Sequence, residues 1–70
     1  MDYKANVVLI EPEYKLVKVT HVPSESSRTY IAFDDGKIEE ALNPRSIIFD
    51  EIKFVIRNTL KQTQRSGIYG

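Results

Sequence analysis

The residue types that could carry chemistry fall into a few short stretches of this 70-residue chain. His21 lies close in sequence to Ser24, Ser26 and Ser27, the base and hydroxyl from which a nucleophilic serine is built. Such a serine also needs a third group to hold the base and donors for an oxyanion, and proximity along the chain supplies neither. SESS is better explained as a polar loop, so no catalytic residue is assigned. DDGKIEE, at 34–40, gathers the carboxylates of Asp34, Asp35, Glu39 and Glu40. An EF-hand calcium loop would place oxygen ligands at alternate positions ahead of the glycine, where this chain has Ile31 and Phe33. That chemistry fails. Asp34 and Asp35 read as turn residues and Glu39 and Glu40 as solvent-facing, with the segment as a possible acidic contact for a basic partner.

The cations Lys53, Arg57, Lys61 and Arg65 recur four apart, and no acidic residue follows Glu51. On a helix this spacing forms a slowly precessing ridge. Cations near a helix C-terminus complement its dipole, which accounts for the pattern without any ligand. The same ridge, helped by Asn58, Gln62 and Gln64, is a possible nucleic-acid-binding surface of modest, salt-sensitive affinity. No glycine-rich loop or aromatic stacking pattern accompanies it.

The apolar residues of NPRSIIFDEIKFVIRNTL, at 43–60, pose a packing problem. On a helical wheel Ile48, Phe49, Ile52, Val55, Ile56, Thr59 and Leu60 fill an arc of roughly 140°, suited to a helix docked on a core. Ile47 and Phe54 fall on the opposite side, amid Glu51, Asn58 and Lys61. Either the 37–42 segment or the C-terminal tail covers them, or they form a docking stripe. The candidate partner-binding face is therefore Ile47, Glu51, Phe54, Asn58 and Lys61, with a second copy of the chain or another protein as its occupant.

The elements that must position these groups follow from periodicity and turn chemistry. ANVVLIE, residues 5–11, is β-branched and closed by Pro12; YKLVKVTHV, residues 14–22, alternates as a half-buried strand does. Its alternation changes phase: Tyr14 and Leu16 share one face, Val17 and Val19 the other. A bulge near Leu16 and Val17, or burial on both faces, would reconcile them. RTYIAF, residues 28–33, is the third strand, and Tyr14 and Tyr30 are expected on the sheet face away from the helix. DDG suits a type I turn with Gly36 at positive φ. KIEEALN reads as a short strand running into a turn of helix. Asn43 and Pro44 are a good N-cap and first helical residue, predicting a helix from there to about Gln64, with Gly67 to end it.

The expected architecture is a small two-layer α+β domain: three or four antiparallel strands followed by one long C-terminal amphipathic helix. Residues 1–66 form the single domain and 67–70 a frayed tail. Ten lysines and arginines balance ten aspartates and glutamates, which argues against a generic polyanion binder. No cysteine is present and histidine occurs once, so disulfides, thiolate metal sites and imidazole-rich metal sites are excluded, and no cofactor is expected. The run Val7 to Ile10 is too short for a signal-peptide core or a membrane span, consistent with a cytoplasmic protein. Small domains have thin stability margins and often lean on a partner chain. In size and texture the chain resembles small stand-alone proteins encoded by phages and mobile elements, which implies action by binding a host protein. The expectation is a non-catalytic, homodimeric interaction protein, with a nucleic-acid-binding regulator second. An enzyme whose site forms only across a dimer interface is third.

Overall fold

Strand β2, Tyr14–His21, pairs on both sides and sets the register of the sheet. The computed structural model describes the backbone of residues 2–69 and the side chains of residues 2–63. Around β2 lie β1 (Tyr3–Ile10), β3 (Ser26–Phe33) and the short β4 (Ile38–Glu40), in one antiparallel sheet of order β1-β2-β3-β4. Helix α1, Asp50–Tyr69, packs chiefly on β1 and less on β2. This is the four-stranded α+β domain that the strand and helix periodicities imply.

Each hairpin is closed by identifiable turn chemistry. Between β1 and β2 the Glu11 N–H donates to the Tyr14 carbonyl at 2.9 Å, with Pro12 in the corner, where its fixed φ is useful. Between β3 and β4, Gly36 takes φ 94° and its N–H reaches the Phe33 carbonyl at 3.0 Å. The Asp35 carboxylate accepts the Lys37 N–H at 2.9 Å, so DDG forms the turn its composition predicts. The β2–β3 turn, residues 22–25, holds Glu25 at φ 59°, and Ser26 and Ser27 already belong to β3 rather than to a loop.

The phase change in β2 has a physical cause. Val17 and Val19 point to the helix side and are buried with Tyr30, Ala32, Ile48, Ile52 and Ile56. Tyr14 and Leu16 point to the open side, and both are half-buried. β2 itself is regular; the bulge lies opposite, in β1, where the register shifts between Val7 and Leu9. Tyr30 is a correction: it pairs with Val17 and lies in the core, while Tyr14 is on the open face as expected.

The helix boundaries also differ from expectation. Asn43 and Pro44 open a turn instead, in which the Ser46 N–H donates to the Asn43 carbonyl at 2.9 Å. The reason is topological. β4 and β1 are opposite edges of the sheet, about 14 Å apart at ~4.8 Å per strand. The chain must cross that breadth before a helix can lie along β1, and residues 41–49 make the crossing. They also contain no helical turn, so KIEEALN yields the short strand alone. At its far end α1 continues past Gln64 and through Gly67 to Tyr69. Glycine inside a helix is unfavourable by only ~1 kcal/mol, so Gly67 alone does not end it.

Candidate functional site

The crossing segment explains the misplaced isoleucine. Residues 47–49 are not helical, and alternate side chains of an irregular extended stretch face opposite ways: Ile48 enters the core, Ile47 and Phe49 do not. The α1 ladder begins at Phe49, whose carbonyl accepts the N–H groups of Ile52 and Lys53 at 3.0 and 3.1 Å. Ile47 therefore shares no helix face with Phe54, and Phe49 is not part of the core.

Exposure nevertheless concentrates here. Leu42 is 94% exposed, Ile47 90%, Phe49 69% and Phe54 57%, all within the crossing segment and the first turns of α1. Glu51, Phe54, Asn58 and Lys61 are all exposed on the solvent side of the helix, as the wheel places them. Neither the 37–42 segment nor any other described residue covers Ile47. Of the cations, Arg57 and Lys61 are exposed and Lys53 half-buried, and among the described residues none of the three pairs with a carboxylate. Arg65 lies outside the residues whose side chains are described.

The acidic segment is divided rather than gathered. Glu39 and Glu40, neighbours in β4, face opposite sides of the sheet. Glu39 is half-buried and pairs with Lys37 at 3.2 Å; Glu40 is buried on the helix side beside Arg28 at 3.7 Å. The expectation that both face water is thus overturned, because β4 pairs with β3 and turns Glu40 toward Tyr30. Burial, and next the Glu40 charge, push the Tyr30 phenol above its ordinary value.

The histidine–serine group is assembled, but as a turn. His21 Nδ1 lies 2.7 Å from Ser24 Oγ, which lies 2.8 Å from Ser26 Oγ, while Ser27 bonds Thr20 across the hairpin at 2.9 Å. Among the described residues no carboxylate pairs with the ring. The neighbouring cleft, between Tyr3, His21, Arg28, Tyr30 and Phe49, encloses ≈ 210 Å³, below the ~300–1,000 Å³ of most small-molecule sites.

The open sheet face, where the sequence places Tyr14, carries a wider apolar row than expected, and the β1 edge is a surface that the sequence does not single out. On the open sheet face, Leu9, Leu16 and Ile31 form a cross-strand row beside Tyr14 and Phe33, whose rings are 6.5 Å apart. The phase change in β2 was the signal of this second apolar layer. Along the β1 edge, residues 5–10 and Thr59, Gln62 and Thr63 of α1 line an open groove of ≈ 650 Å³.

No family model matches the chain, and no curated protein or solved structure is found to be similar to it. Among the described residues no helix is long and apolar enough to cross a membrane.

Proposed function

We propose that this chain is a non-catalytic interaction module that works as a homodimer and binds and modulates another macromolecule. Its working surface is the exposed face of α1 with the segment leading into it: Ile47, Glu51, Phe54, Asn58 and Lys61. The observation that carries the reading is the run of large, uncovered apolar side chains from Leu42 to Phe54. Covering a phenylalanine or isoleucine fully contributes roughly 1.5–3 kcal/mol, so these groups hold binding energy that the fold leaves unused. The polar residues beside Phe54 keep the face soluble when it is free.

The test is a double substitution, Ile47→Ser with Phe54→Ser. The thermal midpoint should stay nearly unchanged while capture of a binding partner is lost. Collapse of the fold would assign both residues to the core and end the reading.

A second reading, a nucleic-acid-binding regulator, rests on Lys53, Arg57 and Lys61 lying along α1 without acidic partners among the described residues. Titration with duplex DNA and RNA at low salt decides it. Affinity that falls steeply with salt supports the ridge; no binding at low salt removes it.

A further inference from the structure

The groove beside β1 is lined without charge among the described residues. Its lining from β1, and from the described flank of α1 that overlooks it, is uncharged in a chain whose residues are 29% charged. Val8, Leu9 and Ile10 are exposed there, and the strand carries a full row of backbone groups with no neighbour on its outer side. Edge strands are ordinarily blunted by prolines, charges or bulges. Across residues 5–10 β1 has no proline and no charge, and the bulge between Val7 and Leu9 is its one such device.

We propose that β1 is the dimer edge. Two copies pair β1 against β1 in antiparallel fashion, extending each four-stranded sheet into one of eight strands. This inference rests on the homodimer in the reading above and assigns it a surface distinct from the Ile47–Phe54 region.

Two features select a second copy as the occupant. First, a two-fold contact sets a surface against itself, so any charge near the axis meets its own kind. An uncharged flank satisfies this, and it offers no recognition to a partner chosen by charge. Second, Lys4 and Glu11 bracket the uncharged run at its two ends. Antiparallel pairing sets Lys4 of one copy beside Glu11 of the other, twice over; in the same register Asp2 falls opposite Glu13, and Asp2, Glu11 and Glu13 all lie outside the strand itself. The flank of α1 beside the paired strands carries Thr59 and Gln62 among the described residues.

The area fits a modest dimer. β1 is about 27 Å long and the two layers about 20 Å deep, giving on the order of 500–600 Å² per partner. Stable complexes bury about 800 Å² per partner. The bulge between Val7 and Leu9 also interrupts the ladder. Association should therefore be concentration-dependent.

Light scattering on the full chain from 1 μM to 1 mM should show mass rising from one copy to two. Over the same range, amide exchange should slow in residues 5–10 and not in the β3–β4 hairpin. Val8→Lys and, separately, Gln62→Lys should each weaken the dimer at least tenfold. Gln62 is an exposed helix residue, so its variant carries the test if Val8→Lys does not fold. Ile47→Ser with Phe54→Ser should leave the mass unchanged. A monomer at every concentration would overturn the proposal. So would a dimer that survives both lysine variants and dissolves in the serine variant, which would move the contact to α1 and leave the interaction reading standing.

Discussion

Tyr30 and Glu40 stand opposite each other across β3 and β4, a phenol and a buried carboxylate on the helix side of the sheet. Arg28, the ion-pair partner of Glu40, is largely exposed, so the pair's charge is only partly compensated at Tyr30. Burial and the Glu40 charge both favour the neutral phenol, which raises its pKa above the unfolded value of 10.0. Below that value the phenol is protonated in both states and contributes nothing to the slope. As pH rises past it, the unfolded chain gives up the proton while the folded chain keeps it, so stability falls until the folded phenol ionises too. Urea midpoints should therefore drop above about pH 10, and Tyr30→Phe should remove part of that drop. Glu40→Gln should bring the tyrosinate absorbance change of Tyr30 part of the way back. A slope identical in wild type and Tyr30→Phe would show that the phenol is not desolvated.

Glu25 occupies the left-handed position that closes the β2–β3 turn, at φ 59°. Left-handed backbone costs a side-chain-bearing residue roughly 1–2 kcal/mol, and glycine avoids most of it while gaining freedom in the unfolded chain. Glu25→Gly should raise stability by about 0.5–1 kcal/mol, or several degrees in thermal midpoint for a domain this small. Loss of stability would mean that the Glu25 side chain makes a contact worth more than the strain.

Ile56 and Phe54 test the two sides of α1 against each other. Ile56 is fully buried among Val17, Val19 and Ile52, and Ile56→Ala should cost about 2–5 kcal/mol. Phe54→Ala, although it deletes a larger group, should cost less than about 1 kcal/mol, because surface positions contribute little to the fold. Chemical denaturation of the two variants distinguishes them directly. Equal losses would place Phe54 in the core and withdraw it from any interface.

What could be read from residues alone follows the range of the interactions involved. The DDG turn and the wheel positions of Ile52, Val55 and Ile56 depend on neighbours within a turn, and they appear where periodicity places them. Glu40 and Tyr30 were misread because their burial depends on β4 closing against β3. The start of α1 was misread because Asn43–Pro44 satisfies every local rule for a helix N-terminus, while the need to cross from β4 to β1 is visible only in the sheet order. Ile47 looked like the outer face of a helix because alternation in an extended stretch, plotted at 100° per residue, also sends neighbours to different sides. Its exposure was legible and its position was not.

Tyr14 and Phe33 are the other case in which alternation carried information. They pair across β2 and β3 on the open face, with rings tilted at 56°. Such aromatic pairs contribute about 0.5–1.5 kcal/mol beyond the area they cover. A double-mutant cycle with Tyr14→Ala and Phe33→Ala should return a coupling in that range. No coupling would show that each ring packs on the aliphatic row of Leu16 and Ile31 independently of the other.

Phe49 joins the stability of α1 to its proposed use. Its carbonyl starts the helix, yet its side chain has no acceptor for the exposed N–H groups of the first turn, which Asp50 and Glu51 complement only through charge. Serine at that position would accept one of them, and good caps are worth about 1 kcal/mol over apolar residues. Phe49→Ser should therefore hold or raise the thermal midpoint of the isolated protein, less the little that a mostly exposed ring contributes. The same variant should weaken capture of a partner that docks at the entry to α1. A stability loss above about 1 kcal/mol would instead make Phe49 a structural residue. A gain in stability with a loss of binding would show a cap position given over to contact, the exchange expected where recognition and folding compete for one residue.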